Sequence, residues 1–208
     1  MIQIFENSRE LARGAAEHLV ALAPVSVALS GGSTPKILYE LLADPQESFR
    51  ARVPWTNTHF FWSDERHVPP DHPDSNVHRI NSENPNAQQA ADEYEKTVVP
   101  RLDLILLGLG ADGHTASIFP GSEVVHETKR LVAAPWVEKL NTYRITMTLP
   151  LLNNGASIMF LVSGAEKAQI VKEVLECPRK YPAQFVQPSD GELIWMLDRD
   201  AAAGLNRG

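Results

Sequence analysis

The sequence is short of cysteine: one, Cys177, in 208 residues. A single thiol forms no internal disulfide, so the fold must be held by its core, and a reducing cytoplasm is the expected compartment. Long apolar runs are missing too. No stretch approaches the about 20 residues of a membrane-spanning helix, and the first residues lack the basic-then-apolar order of a secretory leader, so no membrane association is expected. Positive charge is in deficit, with 19 Lys and Arg against 26 Asp and Glu and a net charge of -7. That balance argues against nucleic acid as a partner, and a phosphorylated ligand then needs Arg and Lys gathered locally against the overall field. Internal repeats and low-complexity tracts are absent. What is there, 43% hydrophobic and 22% charged residues, suits one compact domain over 1–208.

The stretch from Asp103 to Gly121, DLILLGLGADGHTASIFPG, carries the densest signal. Leu104 to Leu107 is an unbroken apolar run without alternation, as expected of a parallel strand covered on both faces. Gly108, Gly110 and Gly113 then let the backbone turn, and Thr115 to Phe119 is expected to start a helix. Strand, glycine loop and helix start make an anion site, because the N–H groups of the loop and first turn lack internal partners. His114 stands at its mouth. The spacing Gly108, Gly110, Gly113 also matches a dinucleotide fingerprint, but Asp112 puts a carboxylate where a pyrophosphate belongs. Roughly twenty residues on, where a ribose-binding acid is required, the chain reads LVAAPWV.

The rest alternates in the same way. Met1 to Phe5 reads as a strand. Asn7 to Glu10 reads as a capping box for a helix with Leu11, Ala15, Leu19 and Leu22 on one face, ended by Pro24. Val25 to Ser30 is a second strand, followed by Gly31, Gly32, Ser33 and Thr34, with Thr34 as the expected N-cap and Pro35 as the first helical residue. A hydroxyl-rich nest of this kind suits a phosphate or a sugar. Thr58 to Trp62 is a third strand, and Asp64, Glu65, Arg66 and His67 appear abruptly at its end, where parallel sheets place their ligand crevice. The fork of Arg66 can clamp a phosphate, and a surface ion pair with Asp64 or Glu65 is the plainer alternative. His67, His72 and His78 are five and six apart, which fits no helical ligand pair, so no metal is expected.

Pro69 to Asn76 reads as an irregular loop over the crevice. Val77 to Ile80 would be a strand, yet too few residues separate it from Trp62 for a parallel crossover. Further on, the expectations are a helix over 87–99, a strand over 131–137, a half-exposed strand over 143–149 and a buried strand over 156–162. A capping box at Ser163 to Glu166 opens a last helix, and Leu193 to Leu197 closes the sheet. The fold class is α/β, an open and mainly parallel sheet flanked by helices in a Rossmann-like arrangement.

Four ordered motifs, SGGSTPK from Ser30, SDERHVPPDHPDSN from Ser63, GLGADGHTASIFPG from Gly108 and RITMTLPLLN from Arg144, together resemble the 6-phosphogluconolactonase family. The resemblance runs nearly end to end. It implies hydrolysis of 6-phospho-D-glucono-1,5-lactone to 6-phosphogluconate in the pentose phosphate pathway, a sugar-phosphate lactone as the small-molecule partner, and no metal or organic cofactor. It implies that His114 is the catalytic base, with Asp64 or Asp112 supporting it. Arg66 and Lys139 are implied as phosphate ligands, assisted by Gly31, Gly32, Ser33 and Thr34, and Arg144 also matches the motif. A monomer or a weak homo-oligomer is expected. Family members usually carry a helical segment after the PDSN motif, whereas here Asn76 joins Val77 directly. Two rival functions remain. A glucosamine-6-phosphate isomerase/deaminase resembles the glycine-loop motifs but carries a glutamate shortly after the DGH loop, where this chain has Pro120 and Gly121. A sugar-phosphate sensor would need a DNA-reading segment, and no basic or helix-turn-helix stretch is present.

Overall fold

A computed structural model of the chain describes residues 1–67, 80–81 and 84–206. Its elements are, in order, β1 (Ile2–Phe5), α1 (Ser8–Leu22), β2 (Ser26–Leu29), α2 (Ser33–Ala43), α3 (Phe49–Arg52), β3 (His59–Trp62) and β4 (Asp64–Arg66). There follow α4 (Ala87–Glu95), β5 (Leu104–Leu107), β6 (Val132–Ala133), β7 (Trp136–Val137), β8 (Thr142–Met147), α5 (Leu149–Leu152), β9 (Ser157–Val162), α6 (Ala168–Glu176) and β10 (Glu192–Asp198). A six-stranded sheet in the order β1-β10-β9-β5-β2-β3 is parallel throughout. The α/β expectation holds, and β10 does not close the sheet as its last strand, because it is inserted between β9 and β1.

The unbroken apolar runs lie at the centre because both faces of the sheet are covered. In β5, Leu104 and Leu106 join one core with Leu11, Leu19, Leu38 and Leu41 of α1 and α2. Ile105 and Leu107 join the other, with Tyr94 of α4 and Val171 of α6. Each such side chain contributes about 1.5–3 kcal/mol by leaving water. Helix α1 starts as expected, with the Asn7 side chain accepting from the amides of Arg9 and Glu10, and it stops at Ala23, whose left-handed φ of 45° makes the tight join to β2. Among the described residues no helix is long and apolar enough to cross a membrane.

Several local expectations are overturned. The N-cap of α2 is Gly32 rather than Thr34, because Gly32 takes φ 110° and the Thr34 hydroxyl is engaged with Ser163 Oγ at 3.0 Å. The same bond removes Ser163 from the expected capping box, and the chain enters α6 through Gly164 at φ 103° and a 3₁₀ turn. The α4 helix ends at Glu95, four residues before Val99. The strand expected over 131–137 is split in two by Ala134 and Pro135. The strand expected to be half exposed is buried from Ile145 to Thr148, because it forms part of a second sheet. That sheet, in the order β4-β8-β6 with β7 also on β8, is antiparallel and went unread in the sequence. Of the expected strand Val77 to Ile80, only Ile80 is among the described residues, and it is buried. The loop Pro69 to Asn76 lies outside them.

Candidate active site

Topology assembles the site. Strands β2 and β5 are neighbours, but β2 continues to β3 on one side while β5 is followed by β9 on the other. Such a switch point leaves a crevice beyond the carboxyl ends of the strands. Here the ends of β2, β3, β5 and β9 release Ser30, Ser63, Gly108 and Ser163, and a cleft of about 260 Å³ opens among the segments they begin. A wider groove of about 670 Å³, around Glu123 and Trp136, contains none of the candidate catalytic or phosphate-binding residues read from the sequence.

On the first wall stand Gly31, Gly32, Ser33 and Thr34, at the N-terminus of α2. No side chain caps that helix, so the amides of its first turn and the positive end of its dipole are left to an anion in the cleft. The second wall is β4. Residues of a strand alternate between faces, so Glu65 is fully buried while Asp64 and Arg66 both line the cleft. Asp64 Oδ2 accepts from Ser117 Oγ at 2.6 Å, and the Arg66 amide donates to Glu65 Oε1 at 2.7 Å. Arg144 pairs directly across from Arg66 in β8 and so lies on the same face, but the cleft wall does not include it.

The third wall is the loop after β5. It closes on itself through Gly110 N–H to His114 O at 2.9 Å, Gly113 N–H to Gly110 O at 2.9 Å and Thr115 Oγ1 to Gly108 O at 2.9 Å. The expected helix at Thr115 to Phe119 does not form. Ala116 takes φ 46°, Thr115 bridges to Ile118, and the chain turns back to give Ser117 N–H to Thr146 Oγ1 at 3.1 Å. His114 faces the cleft, while its Nδ1 lies 2.5 Å from Asp112 Oδ1. Asp112 Oδ2 accepts from Lys139 Nζ. Burial alone would raise the pKa of Asp112, but hydrogen bonds from Lys139 and then His114 prevail and lower it to about 2. The carboxyl is therefore ionised at neutral pH and can only accept. His114 Nδ1 must then be the donor in this contact, which leaves Nε2 as the ring nitrogen that Asp112 does not engage. Behind the loop, the Tyr181 ring packs on Gly113, whose φ of 77° suits glycine, and Ala183 N–H donates to Gly113 O at 3.1 Å.

Lys139 is thus on the far side of Asp112 and outside the cleft lining, in contrast to Arg66. Two polar cleft residues were not read as site residues in the sequence: Ser163, taken there as a helix cap, and Lys167, whose ammonium donates to Leu109 O at 3.0 Å. The signal was present: a buried strand ending in Ser-Gly, as at β2. His67 Nε2 donates to Asn84 O at 2.5 Å, while His72 and His78 lie outside the described residues.

A family described as glucosamine-6-phosphate isomerases/6-phosphogluconolactonase matches residues 6–84 and 75–195. The chain belongs to this family. A 6-phosphogluconolactonase of Synechocystis is 40% identical over 211 residues, covering 86% of this chain and 84% of the relative. One from Haemophilus influenzae is 36% identical over 203 residues, 86% of each. The crystal structure of devB protein superposes with a TM-score of 0.91 at 34% identity, over 99% of this chain and 100% of the other. The 6-phosphogluconolactonase of Trypanosoma brucei gives 0.84 at 28%, over 99% and 98%. A monomeric glucosamine-6-phosphate deaminase, at 20% identity and 0.81, shares the fold of the family. The Synechocystis alignment spans 211 positions but draws on 86% of a 208-residue chain, so that relative has residues this member lacks. The family match itself breaks into two segments overlapping at 75–84, around the short Asn76 to Val77 join.

Proposed function

We propose that the cleft hydrolyses 6-phospho-D-glucono-1,5-lactone with His114 as general base. The activity class is that of a 6-phosphogluconolactonase, a lactone hydrolase of the pentose phosphate pathway. The observation that carries the mechanism is the His114–Asp112 contact, which engages Nδ1 and leaves Nε2 as the ring nitrogen open to a water in the cleft. A water between Nε2 and C1 of the lactone loses a proton to the imidazole as its oxygen adds to the carbonyl. The tetrahedral intermediate collapses by breaking the bond from C1 to the ring oxygen, and the imidazolium returns its proton to that oxygen, which becomes a hydroxyl. The acid then ionises in water. A lactone is an activated ester, so no protein nucleophile is required. Arg66, Lys167 and the first-turn amides of α2 gather positive potential for the phosphate in a chain that is negative overall. Asp64, held by Ser117, stands on the same wall and can accept from a sugar hydroxyl.

The test is lactone consumption near neutral pH, with substrate generated in place and the spontaneous rate subtracted. His114→Ala is expected to lower kcat by on the order of 10²- to 10⁴-fold. Arg66→Ala is expected mainly to raise KM, by about tenfold or more for a lost charge-assisted bond. Wild-type rates in His114→Ala would end the general-base reading. Turnover of glucosamine 6-phosphate in preference to the lactone would move the chain to the other activity of its family.

A further inference from the structure

Lys139 is held at the back of the His114 loop. It sits in the 3₁₀ turn Glu138–Leu140 between β7 and β8, a turn closed by Asn141 at φ 49°. Its ammonium meets Asp112 Oδ2 and lies 4.4 Å from the centre of the Phe119 ring, and that ring is in turn 4.3 Å from the His114 imidazole. Asp112 thus spans the two groups, one oxygen on each. As an ion pair the contact adds little stability, because the Lys139 side chain is 51% exposed. Its geometric effect is larger. A carboxylate held at one oxygen can rotate away from the imidazole, whereas one held at both cannot.

We propose that Lys139 is a positioning residue, which fixes Asp112 and through it the tautomer and orientation of the His114 ring. The proposal rests on the reading of His114 as the base. It also carries an electrostatic consequence. A cation behind Asp112 offsets part of the carboxylate's pull on the imidazole proton, so removing it makes His114 more basic. The other charges around the ring, Asp64 and Arg66 on β4, Lys167 before α6 and Glu138 beside Lys139, stay in place when Lys139 alone is changed.

The experiment compares full-length wild type, Lys139→Met, Lys139→Arg and the exposed control Lys129→Met. In Lys139→Met, kcat is expected to fall on the order of tenfold with KM within about twofold, and the acid limb of kcat/KM to move to higher pH. Lys139→Arg is expected to recover most of the loss, and Lys129→Met to match wild type. A rise in KM of about tenfold, with kcat and the acid limb unmoved, would make Lys139 a phosphate ligand and overturn the proposal. Nitrogen NMR of the His114 ring separates this failure from that of the general-base reading. Lys139→Met is expected to raise the ring's titration midpoint and mix its tautomers whether or not His114 is the base, and an unchanged ring signal would equally overturn the proposal.

Discussion

Gly110 shows how closely the loop after β5 is fitted around His114. A Cβ at that position would overlap the His114 ring, and the ring can yield only by leaving Asp112. Gly110→Ala is therefore expected to leave the melting temperature within a few degrees while lowering kcat on the order of 10²-fold, the scale of a misplaced catalytic group. Normal kcat in that variant would show that the ring has another productive position. Asp112 gives a pH prediction of defined sign. Its pKa is lowered from 3.8 to about 2, so its stabilising contacts are complete above the unfolded value and are lost as pH falls through the folded one. The His114 ring signal is expected to keep its bonded signature at about pH 4 and to lose it on approach to about pH 2. A carboxyl transition near the ordinary value would contradict the double hold on Asp112. At this scale the sequence was informative where chemistry and glycine spacing coincide, as at His114 and Asp112. It was silent on which partner Lys139 takes, because that depends on where a turn 27 residues away is folded.

Among the elements, β5 is the one most exposed to damage, since Leu106 is fully buried between β9 and β2 and faces α1 and α2. Leu106→Ala is expected to cost about 2–5 kcal/mol, read as a lower urea midpoint at unchanged slope. A loss below about 1 kcal/mol would mean that the core closes over the gap. The long apolar strands were legible for the same reason that they are vulnerable: burial on both faces leaves an unbroken run. The second sheet was not legible, because β4, β6 and β7 have two or three residues each, too few to show a period of two. Yet it is the alternation within β4 that puts Asp64 and Arg66 into the cleft together. The helix starts misread at Thr34 and Ser163 share one cause. The two hydroxyls satisfy each other across the cleft, a pairing between residues 129 apart in the chain, and glycines take over the caps.

For the molecule as a whole, the order of strands decides what the site contains. Four segments with no mutual sequence signal meet because their strands run parallel and side by side, and positive groups collect at one edge of a chain of net charge -7. The position of β10 bears on how the molecule comes into being. Among the described residues strand β1 pairs only with β10, from Ile2 opposite Trp195 to Phe5 opposite Asp198, and the Met1 amine donates to Leu193 O at 2.8 Å. On the ribosome the earliest strand therefore waits for the latest. Until residues 192–198 leave the exit tunnel, β1 and the flank of β9 offer open strand edges to other chains, so the nascent protein carries a risk of mispairing throughout the interval between the synthesis of the two strands.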